Sequence, residues 1–263
     1  MGRIDRIHSS FNTLGLILTL NVSYGHSARM TAHMLKNIFQ ISVSHQTVLN
    51  YANAAAVLCH NFNMHHKGPI DPTVAADETY IRVMDRWNYT WFTIGTSSRA
   101  ILAYHVSDSR GTRDALITLS ETIRTIPENK TIELVGDGNP AYDSATHAIN
   151  HPALSEGNTP PLKRRTVIGL KNEDDESAEY RQFKQIVERL NRTYKYHTRS
   201  RSGFKNFNGA VALTVLFVTH YNFLRAHSSL KYKCPVQVSE LDNIKTIQGR
   251  WGKILDMALD LAA

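Results

Sequence analysis

The sequence predicts an α/β domain built on a mixed β-sheet and preceded by a small helical domain. The first sixty residues show helical spacing of apolar positions, whereas short segments rich in β-branched and aromatic residues begin at Val74. Three such segments follow one another, and strands then alternate with helices, which is typical of a mixed sheet. The predicted parts are a helical region at 1–60, a linker at 61–72, the sheet domain at 73–235 and a helical tail at 236–263.

The composition is that of a globular protein with a polyanionic partner. Hydrophobic residues make up 42% and charged residues 20%, and the formal net charge is +7, which favours nucleic acid as the partner. Two distant cysteines exclude a disulfide framework and a cysteine-rich zinc site. The apolar stretch Phe11–Leu20 is about half a membrane span and lacks a cleavage site for a signal peptide, so we expect a cytoplasmic protein with no membrane partner.

Residues 11–58 are predicted to be helical, with Ser27 and Ser44 as the N-caps of two helices separated by about four residues. The first helix has apolar positions at Met30, Met34 and Ile38, and the second has Val48, Tyr51 and Ala55 on one face. The spacing fits a DNA-binding helix-turn-helix and, equally, a packing module without DNA contact. In the first case, amides on the second helix would contact adenine edges, and the candidates are Gln46, Asn50 and Asn53.

The segment from Asn61 to Pro72 contains glycine and prolines that predict a linker. His60, His65 and His66 could be metal ligands, but no second cluster of ligands completes a site. A solvated loop is therefore the favoured interpretation.

The sheet domain begins with three predicted antiparallel strands joined by tight turns. The strands are Val74–Val83, Trp87–Gly95 and Ala100–Val106, and the turns are Met84–Arg86 and Thr96–Arg99. The elements expected next are a helix at Thr112–Arg124, a strand at Thr131–Val135, a helix at Ala141–Ile149, a strand around Thr166–Leu170 and a long helix at Ser177–His197. Trp87, Tyr89 and Trp91 alternate along one strand, which favours a core stripe over a base-stacking surface.

Two aspartates lie in or at the end of predicted strands. Asp77 interrupts an apolar strand, where a carboxylate is costly to bury unless its charge is offset. Asp137 ends the fourth strand between two glycines, at the carboxyl end where α/β domains bind ligands. Taken alone, the segment around Asp137 could also be an ordinary turn.

Glu188 lies on the long C-terminal helix, roughly 120–140° from the buried stripe at about 100° per residue. The stripe consists of Phe183, Val187, Leu190 and Tyr194, and the cations that share the face of Glu188 are Arg192, Lys195 and Arg199. The pattern fits either a helical ion-pair row or a metal-binding carboxylate beside phosphate-binding cations. Residues 178–233 hold eleven Lys or Arg and two Glu, which favours phosphate contact.

These residues carry a resemblance to DDE transposases of bacterial and archaeal insertion sequences, a ribonuclease H-like superfamily that includes the retroviral integrase core. The segments that resemble the three acidic motifs are Ala76-Asp77-Glu78-Thr79-Tyr80-Ile81, Asp137-Gly138-Asn139-Pro140-Ala141-Tyr142 and Val187-Glu188-Arg189-Leu190-Asn191-Arg192-Thr193. The continuation of the third motif is Arg201-Ser202-Gly203-Phe204-Lys205 with Tyr221–Leu230. Together they span roughly residues 27–240, and the predicted order of elements is that of the ribonuclease H-like fold.

The resemblance implies a metal-dependent transposase whose catalytic, metal-binding acids are Asp77, Asp137 and Glu188. Two Mg²⁺ ions, with Mn²⁺ as a substitute, would activate water to expose a 3′-hydroxyl, which then attacks target DNA. The implied partners are double-stranded DNA, both element ends and target, and further copies of the chain in a homodimer or larger oligomer. The implied location is the nucleoid in a prokaryotic cytoplasm.

The sequence departs from the family pattern in one interval. Asp137 and Glu188 are 51 residues apart, longer than is usual, and Glu173 and Glu176 are rival third acids without the Arg-Leu-Asn continuation. Two alternative functions stay open: a ribonuclease H-like nuclease without joining activity, and an inactive or truncated DNA-binding protein derived from a transposase.

Overall fold

A computed structural model describes residues 10–124, 126–127, 130–169 and 174–262. The chain forms two compact units. The helical unit contains the residues up to Lys67, Arg82–Asp85 and the residues from Tyr194 onwards, and the sheet unit contains Gly68–Ile81 and Arg86–Thr193.

The helices in chain order are α1 Phe11–Leu18, α2 Ala28–Phe39, α3 His45–His65, α4 Thr112–Ile123, α5 Pro140–Ser155, α6 Asp175–Arg199, α7 Phe207–Thr219 and α8 Ile247–Asp260. The strands are β1 Thr73–Val83, β2 Arg86–Gly95, β3 Ile101–Ser107, β4 Ile132–Gly136 and β5 Leu162–Thr166. Short π-helical turns, Thr19–Ser23 and His220–Leu224, extend α1 and α7.

The two predicted N-caps of the helical unit are confirmed. The Ser27 hydroxyl accepts a hydrogen bond from the Met30 amide at 3.3 Å, and the Ser44 hydroxyl accepts one from the Thr47 amide at 3.0 Å. These bonds satisfy amides that have no partner within the first helical turn. The second helix is longer than expected, because α3 continues to His65 and includes the first residues of the predicted linker.

The apolar positions that indicate helix α2 in the sequence are not its buried residues. Thr31 and Leu35 are the buried residues of this helix, whereas Met30 is 49% and Ile38 63% exposed. Both sets of residues follow helical spacing, so the period alone could not select between them. Helix α2 packs against α3, and the face around Leu35 is its buried side.

The core of the helical unit forms where α7 packs against α3 and α8 packs against α1 and α3. The stretch Phe207–Leu224 is long and apolar enough to cross a membrane by length and composition, but 78% of it is buried inside the protein. Its burial is that of a core helix, in which apolar residues on all sides meet neighbouring helices.

The sheet unit contains a five-stranded mixed sheet in the order β3-β2-β1-β4-β5. Strand β3 pairs antiparallel with β2, and β4 pairs parallel with both β1 and β5. This architecture confirms the predicted ribonuclease H-like fold. The sequence places the fifth strand too late in the chain, around Thr166–Leu170; it spans Leu162–Thr166, and Leu170 lies outside the described residues.

Each face of the sheet is covered by different helices. Helix α4 packs on β2 and β3, and α5 packs on α4 and β5. On the opposite face, Val135 of β4 packs with Tyr180 and Phe183 of α6. Because side chains alternate along a strand, consecutive residues of β1 point to different helices.

The aromatic stripe on β2 is only partly in the core. Trp91 is fully buried and packs edge-on against Tyr142 of α5, with ring centroids 5.5 Å apart. Tyr89 is half-buried, and Trp87 is 65% exposed. The core interpretation is therefore correct for Trp91 and wrong for Trp87, which lies in the part of the strand next to the hairpin turn.

Candidate active site

Asp77 and Asp137 meet at the carboxyl end of β4. Ala75 of β1 pairs with Val135 of β4, and continuing this parallel register places Asp77 level with Asp137. Gly136 allows the strands to approach here, since a Cβ atom would lie 3.1 Å from the Ala76 carbonyl oxygen. Carboxylate oxygens of Asp77, Glu78 and Asp137 lie within 4.8 Å of one another, and we call these three residues the acidic group.

Asp77 lies on the face of β1 that α6 covers. Its Oδ2 accepts a hydrogen bond from Asn191 Nδ2 of α6 at 2.9 Å. Burial, followed by the negative charges of Glu78 and Asp137, raises the pKa of Asp77 to about 7, although Lys184 and the Asn191 bond act in the opposite direction. Asp77 is thus a partly buried carboxyl that a nearby cation would stabilise in its ionised form.

Glu78 points to the opposite face, where donors occupy both of its oxygens. Oε2 accepts a hydrogen bond from the Tyr142 hydroxyl at 2.9 Å, and Oε1 accepts from Arg110 Nε and from Asn139 Nδ2. The side chain is 2% exposed. Burial and then the charge of Glu78 raise the pKa of Tyr142, so this phenol stays protonated and donates. Glu78 therefore ties β1 to α5 and to the loop before α4.

The Asp137 loop is held by its own backbone and by two arginines. Asp137 Oδ1 accepts the Asn139 amide at 3.0 Å, and its Oδ2 lies 3.4 Å from Arg110 Nη2. Arg164 of β5 donates to the Asp137 carbonyl oxygen and, at 3.1 Å, to Asp143 of α5. The segment around Asp137 is thus a loop at the end of β4 in which hydrogen bonds hold the Asp137 carboxylate in place.

Glu188 lies outside the acidic group but on the same face of α6 as two residues that act on Asp77. Its Oε1 is 3.9 Å from Lys184 Nζ, one turn earlier, and Asn191 follows less than one turn later. Residues spaced three or four apart share a helical face. The rival acid Glu176 is ion-paired with Arg165 at 3.4 Å, and Glu173 lies outside the described residues.

The predicted DNA-contacting residues are largely on the surface. Gln46, Asn50 and Asn53 are exposed on α3, and Gln46 Nε2 donates to Asn50 Oδ1 at 2.9 Å. On α6, Arg192 and Arg199 are exposed and Lys195 is half-buried.

Part of the basic segment 178–233 has a structural role instead. The Arg201 guanidinium donates to the Asn21 carbonyl oxygen at 2.9 Å and to the His197 carbonyl oxygen, and burial lowers its pKa to about 10. Arg181 donates to the Gly169 carbonyl oxygen at 2.8 Å. A charge count over this segment therefore overstates the surface that could contact phosphates.

The histidines near the predicted linker do not form a cluster of ligands within the described part of the chain. His66 stacks on Phe62, with ring centroids 4.1 Å apart, and His65 contacts the His66 ring at 4.9 Å. Burial lowers the pKa of His66. These contacts place His66 against the end of α3 rather than in a solvated loop.

Three residues of the site are not singled out by the sequence: Glu78, Arg110 and Arg164. Glu78 lies beside Asp77 in the first motif, and an acid at that position is visible there. Its role depends on which helix covers its face of β1, which the spacing of residues does not reveal. Arg110 and Arg164 come from a loop and an edge strand without a recognisable pattern.

Comparisons with known proteins identify a family for more than half of the chain. A family model described as a DDE domain, of the IS240 transposase type, matches residues 72–217. A comparison with curated proteins finds no match. Among solved structures, a chain of the simian T-cell lymphotropic virus intasome in complex with PP2A regulatory subunit B56 gamma is similar at 18% identity, with a TM-score of 0.41, over 80% of this chain and 70% of that chain. The HTLV-2 integrase catalytic core domain in complex with magnesium is similar at 14% identity, with a TM-score of 0.43, over 64% of this chain and 97% of that chain.

Proposed function

Because the chain belongs to the DDE domain family of the IS240 transposase type, we propose that it cleaves DNA at the ends of an insertion sequence and joins them to target DNA. The convergence of Asp77 and Asp137 at the carboxyl end of β4, inside the matched segment 72–217, carries this proposal. Phosphodiester transfer requires charge stabilisation at phosphorus rather than a protein nucleophile, and neighbouring carboxylates that bind divalent metal supply it.

Asp77 and Asp137 of the acidic group suit a divalent cation such as Mg²⁺ or Mn²⁺. Their donors are carboxylate oxygens, which these ions prefer. The raised pKa of Asp77 reflects burial and repulsion from Glu78 and Asp137, which a cation would offset. Asn191 Oδ1, next to Asp77, is buried and lacks a hydrogen-bond partner within the described residues, and an amide oxygen is also a ligand for such ions.

We assign metal binding to Asp77, Asp137 and Glu188. Bound to them, two divalent cations would activate the attacking oxygen and stabilise the leaving one. Asn191 orients Asp77 through its hydrogen bond, and Arg164 fixes the main chain of Asp137. Glu78 holds Arg110 beside Asp137, where the guanidinium can also contact a DNA phosphate.

Glu188 is the proposed third acid because its neighbours on α6 already act on Asp77. Asn191 donates to Asp77, and the charge of Lys184 favours the ionised form of Asp77. Glu188 lies between these two residues in the sequence of α6 and shares their helical face, which supports its assignment as a ligand of the same metal site. Glu176 is instead ion-paired with Arg165 of β5.

Substitution of the acids tests the assignment. Asp77→Asn, Asp137→Asn and Glu188→Gln are each expected to lower cleavage and strand transfer on the order of 10²–10³-fold, as for loss of other preorganised electrostatic groups. DNA affinity should change little, because these groups bind metal rather than DNA. Both activities are measured with Mg²⁺ or Mn²⁺ on DNA carrying the element's ends, with Glu176→Gln as the matched control.

The same assay separates the alternatives. Normal rates for Glu188→Gln together with loss of activity in Glu176→Gln would show that the third acid is misassigned. Cleavage without joined products would indicate a nuclease, and binding without cleavage by the unmodified chain would indicate an inactive DNA-binding relative. Because two element ends must be joined, we also propose a homodimer or larger oligomer on double-stranded DNA, which sedimentation of the DNA complex would detect.

Recognition of the element's ends is proposed for the polar side of α3. Gln46 and Asn50 are exposed and bonded to each other, and Asn53 follows on the same helix, so their amides are available to adenine edges. Replacing Gln46 and Asn50 by Ala should reduce the preference for end sequences about tenfold or more, while non-specific binding persists. If the variant keeps its preference for end sequences in a competition assay, α2 and α3 form a packing module that does not recognise DNA.

A further inference from the structure

The β1–β2 hairpin presents three aromatic rings to solvent. Tyr80 is 56% and Trp87 65% exposed, and Tyr89 is half-buried. The Tyr80 ring centroid lies 5.8 Å from that of Trp87 and 6.4 Å from that of Tyr89, with edge-to-face angles of 68° and 76°. The rings support one another, so the group has a defined shape at the surface.

Trp87 and Tyr89 lie on the same face of β2 as the buried Trp91, but nearer the hairpin turn, beyond the helices that cover the strand. Trp91, two residues beyond Tyr89 on the same face, is fully buried against Tyr142. Toward the hairpin turn the helical cover ends, and Trp87 is exposed. A set of large aromatic side chains left at the surface in this way typically marks a binding site.

The position of the rings connects them to the acidic group. Tyr80 and Glu78 share one face of β1, two residues or about 7 Å apart. Strand β4 ends at Gly136, so β1 carries Tyr80 beyond the carboxyl end of β4, where Asp137 lies. Arg110, whose side chain is 46% exposed, contacts both Glu78 and Asp137 on this side.

We propose that Tyr80, Trp87 and Tyr89 form a stacking surface for an unpaired base of the DNA strand whose phosphate lies at the acidic group. The proposal rests on the proposed function. Aromatic rings with polar edges suit a base, because each base offers a flat face and hydrogen-bonding groups at its rim. Arg110 and the exposed Arg86 at the start of β2 supply positive charge for the adjoining phosphates. Opening the duplex by one base next to the scissile phosphate would then favour cleavage at that position.

The test uses two duplexes without added divalent metal, so that no cleavage is needed for the readout. One duplex is blunt, and the other has a short single-stranded tail that contains the fluorescent base 2-aminopurine. The unmodified chain should quench the fluorescence and prefer the tailed duplex. Trp87→Ala or Tyr80→Ala should abolish the quenching and weaken binding of the tailed duplex about 5- to 100-fold, the equivalent of losing one stacked base, with little change for the blunt one.

Two control variants separate stacking from other effects. Trp87→Phe keeps a ring and should retain most of the preference for the tailed duplex, whereas Tyr232→Ala removes a tyrosine that is 77% exposed in the helical unit and should change nothing. Unchanged quenching and affinity in Trp87→Ala would overturn the proposal. The proposal would also fail if Trp87→Ala converted an oligomer to a monomer with the tail preference intact, since the rings would then contact a second copy. Quenching by a chain that cleaves no DNA with Mg²⁺ would contradict the proposed function and leave the stacking surface standing.

Discussion

Asp77 and Glu78 are adjacent in sequence, but their surroundings differ. The alternation of β1 directs Asp77 to α6 and Glu78 to α5, so one carboxyl meets Asn191 and the other meets Tyr142, Arg110 and Asn139. Glu78 has donors on both oxygens, whereas burial and like charge raise the pKa of Asp77 to about 7. The fully hydrogen-bonded Glu78 is therefore suited to support the loop, and Asp77 is suited to bind a cation.

At the scale of residues, the sequence identifies candidate site residues better than it predicts which residues they contact. Asp77 is identifiable because a carboxylate is costly inside an apolar strand, and Asp137 because it ends a strand between glycines. The structure brings these two residues together. The role of Glu78 is not predictable, because it depends on a hydrogen bond from Tyr142, 64 residues away in the chain.

The hydrogen bond between Tyr142 and Glu78 leads to a prediction for stability. Tyr142→Phe removes the donor and leaves a buried carboxylate oxygen without it, so the free energy of unfolding should fall by about 1–3 kcal/mol. Urea unfolding measures the change. Tyr232→Phe, at an exposed position, should stay within about 0.5 kcal/mol of the unmodified chain. Equal midpoints for the two variants would show that Glu78 does not depend on this donor.

At the scale of elements, caps and periodicity predict most helices and strands, and edge strands and helix faces are harder to predict. Four of the five residues of β5 are polar, and its arginines bond to neighbours such as Glu133 and Asp143 instead of forming an apolar run. The more apolar sequence just after β5 is therefore predicted as the strand in its place. In α2, two sets of residues follow the same period, and the tertiary packing of the helix, which the sequence does not reveal, determines that Leu35 is buried.

Helix α6 combines a proposed metal ligand with cations that continue its face, and this arrangement predicts two separable effects. Replacing Arg192, Lys195 and Arg199 by Gln should weaken DNA binding about uniformly across sequences. The same replacement should flatten the salt dependence by roughly 0.9 log units for each phosphate that the variant no longer neutralises. The rate at saturating DNA should fall much less than the affinity, because these side chains would bind phosphates rather than metal.

A variant with the same loss of net charge provides the control. Lys36, Lys130 and Lys245 are exposed elsewhere on the chain, and their replacement by Gln should leave the salt slope nearly unchanged. If the α6 variant keeps its slope and unfolds at a lower temperature, the cations stabilise the helix instead of contacting DNA. Glu188 would then be one end of an ion-pair row, and the metal site would rest on the two aspartates.

At the scale of the whole molecule, the net charge of +7 suits a DNA partner, but it makes the binding of further protons costly. Two histidines of the helical unit, His197 and His220, are buried. Burial, reinforced by Arg201 and Arg225, lowers the pKa of His197 to about 4, although a backbone hydrogen bond with Val22 acts in the opposite direction. Burial, then the charges of His197, Arg225 and His227, lower the pKa of His220 to about 3. Both rings are therefore neutral in the folded chain near neutral pH.

This burial predicts how stability changes with pH. In the unfolded chain, a histidine binds a proton near its ordinary pKa of 6.5, whereas the folded chain binds it only near pH 4 for His197 and pH 3 for His220. Between these values the unfolded state holds more protons, so the free energy of unfolding falls as the pH falls, by on the order of a few kcal/mol in total. Asp77 contributes with the opposite sign over part of this range, because its raised pKa gives the folded state the extra proton.

A difference measurement isolates the histidine contribution. His220→Asn replaces the ring by an amide that does not titrate, so its unfolding free energy, measured with urea from about pH 7.5 to about pH 4.5, should fall less steeply with acid than that of the unmodified chain. The contribution of Asp77 cancels, since it is the same in both proteins. His147→Asn, at an exposed position of α5, should follow the unmodified curve. Parallel curves for His220→Asn and the unmodified chain would mean that His220 is protonated in the folded protein, and the buried pair would then carry charge beside Arg225.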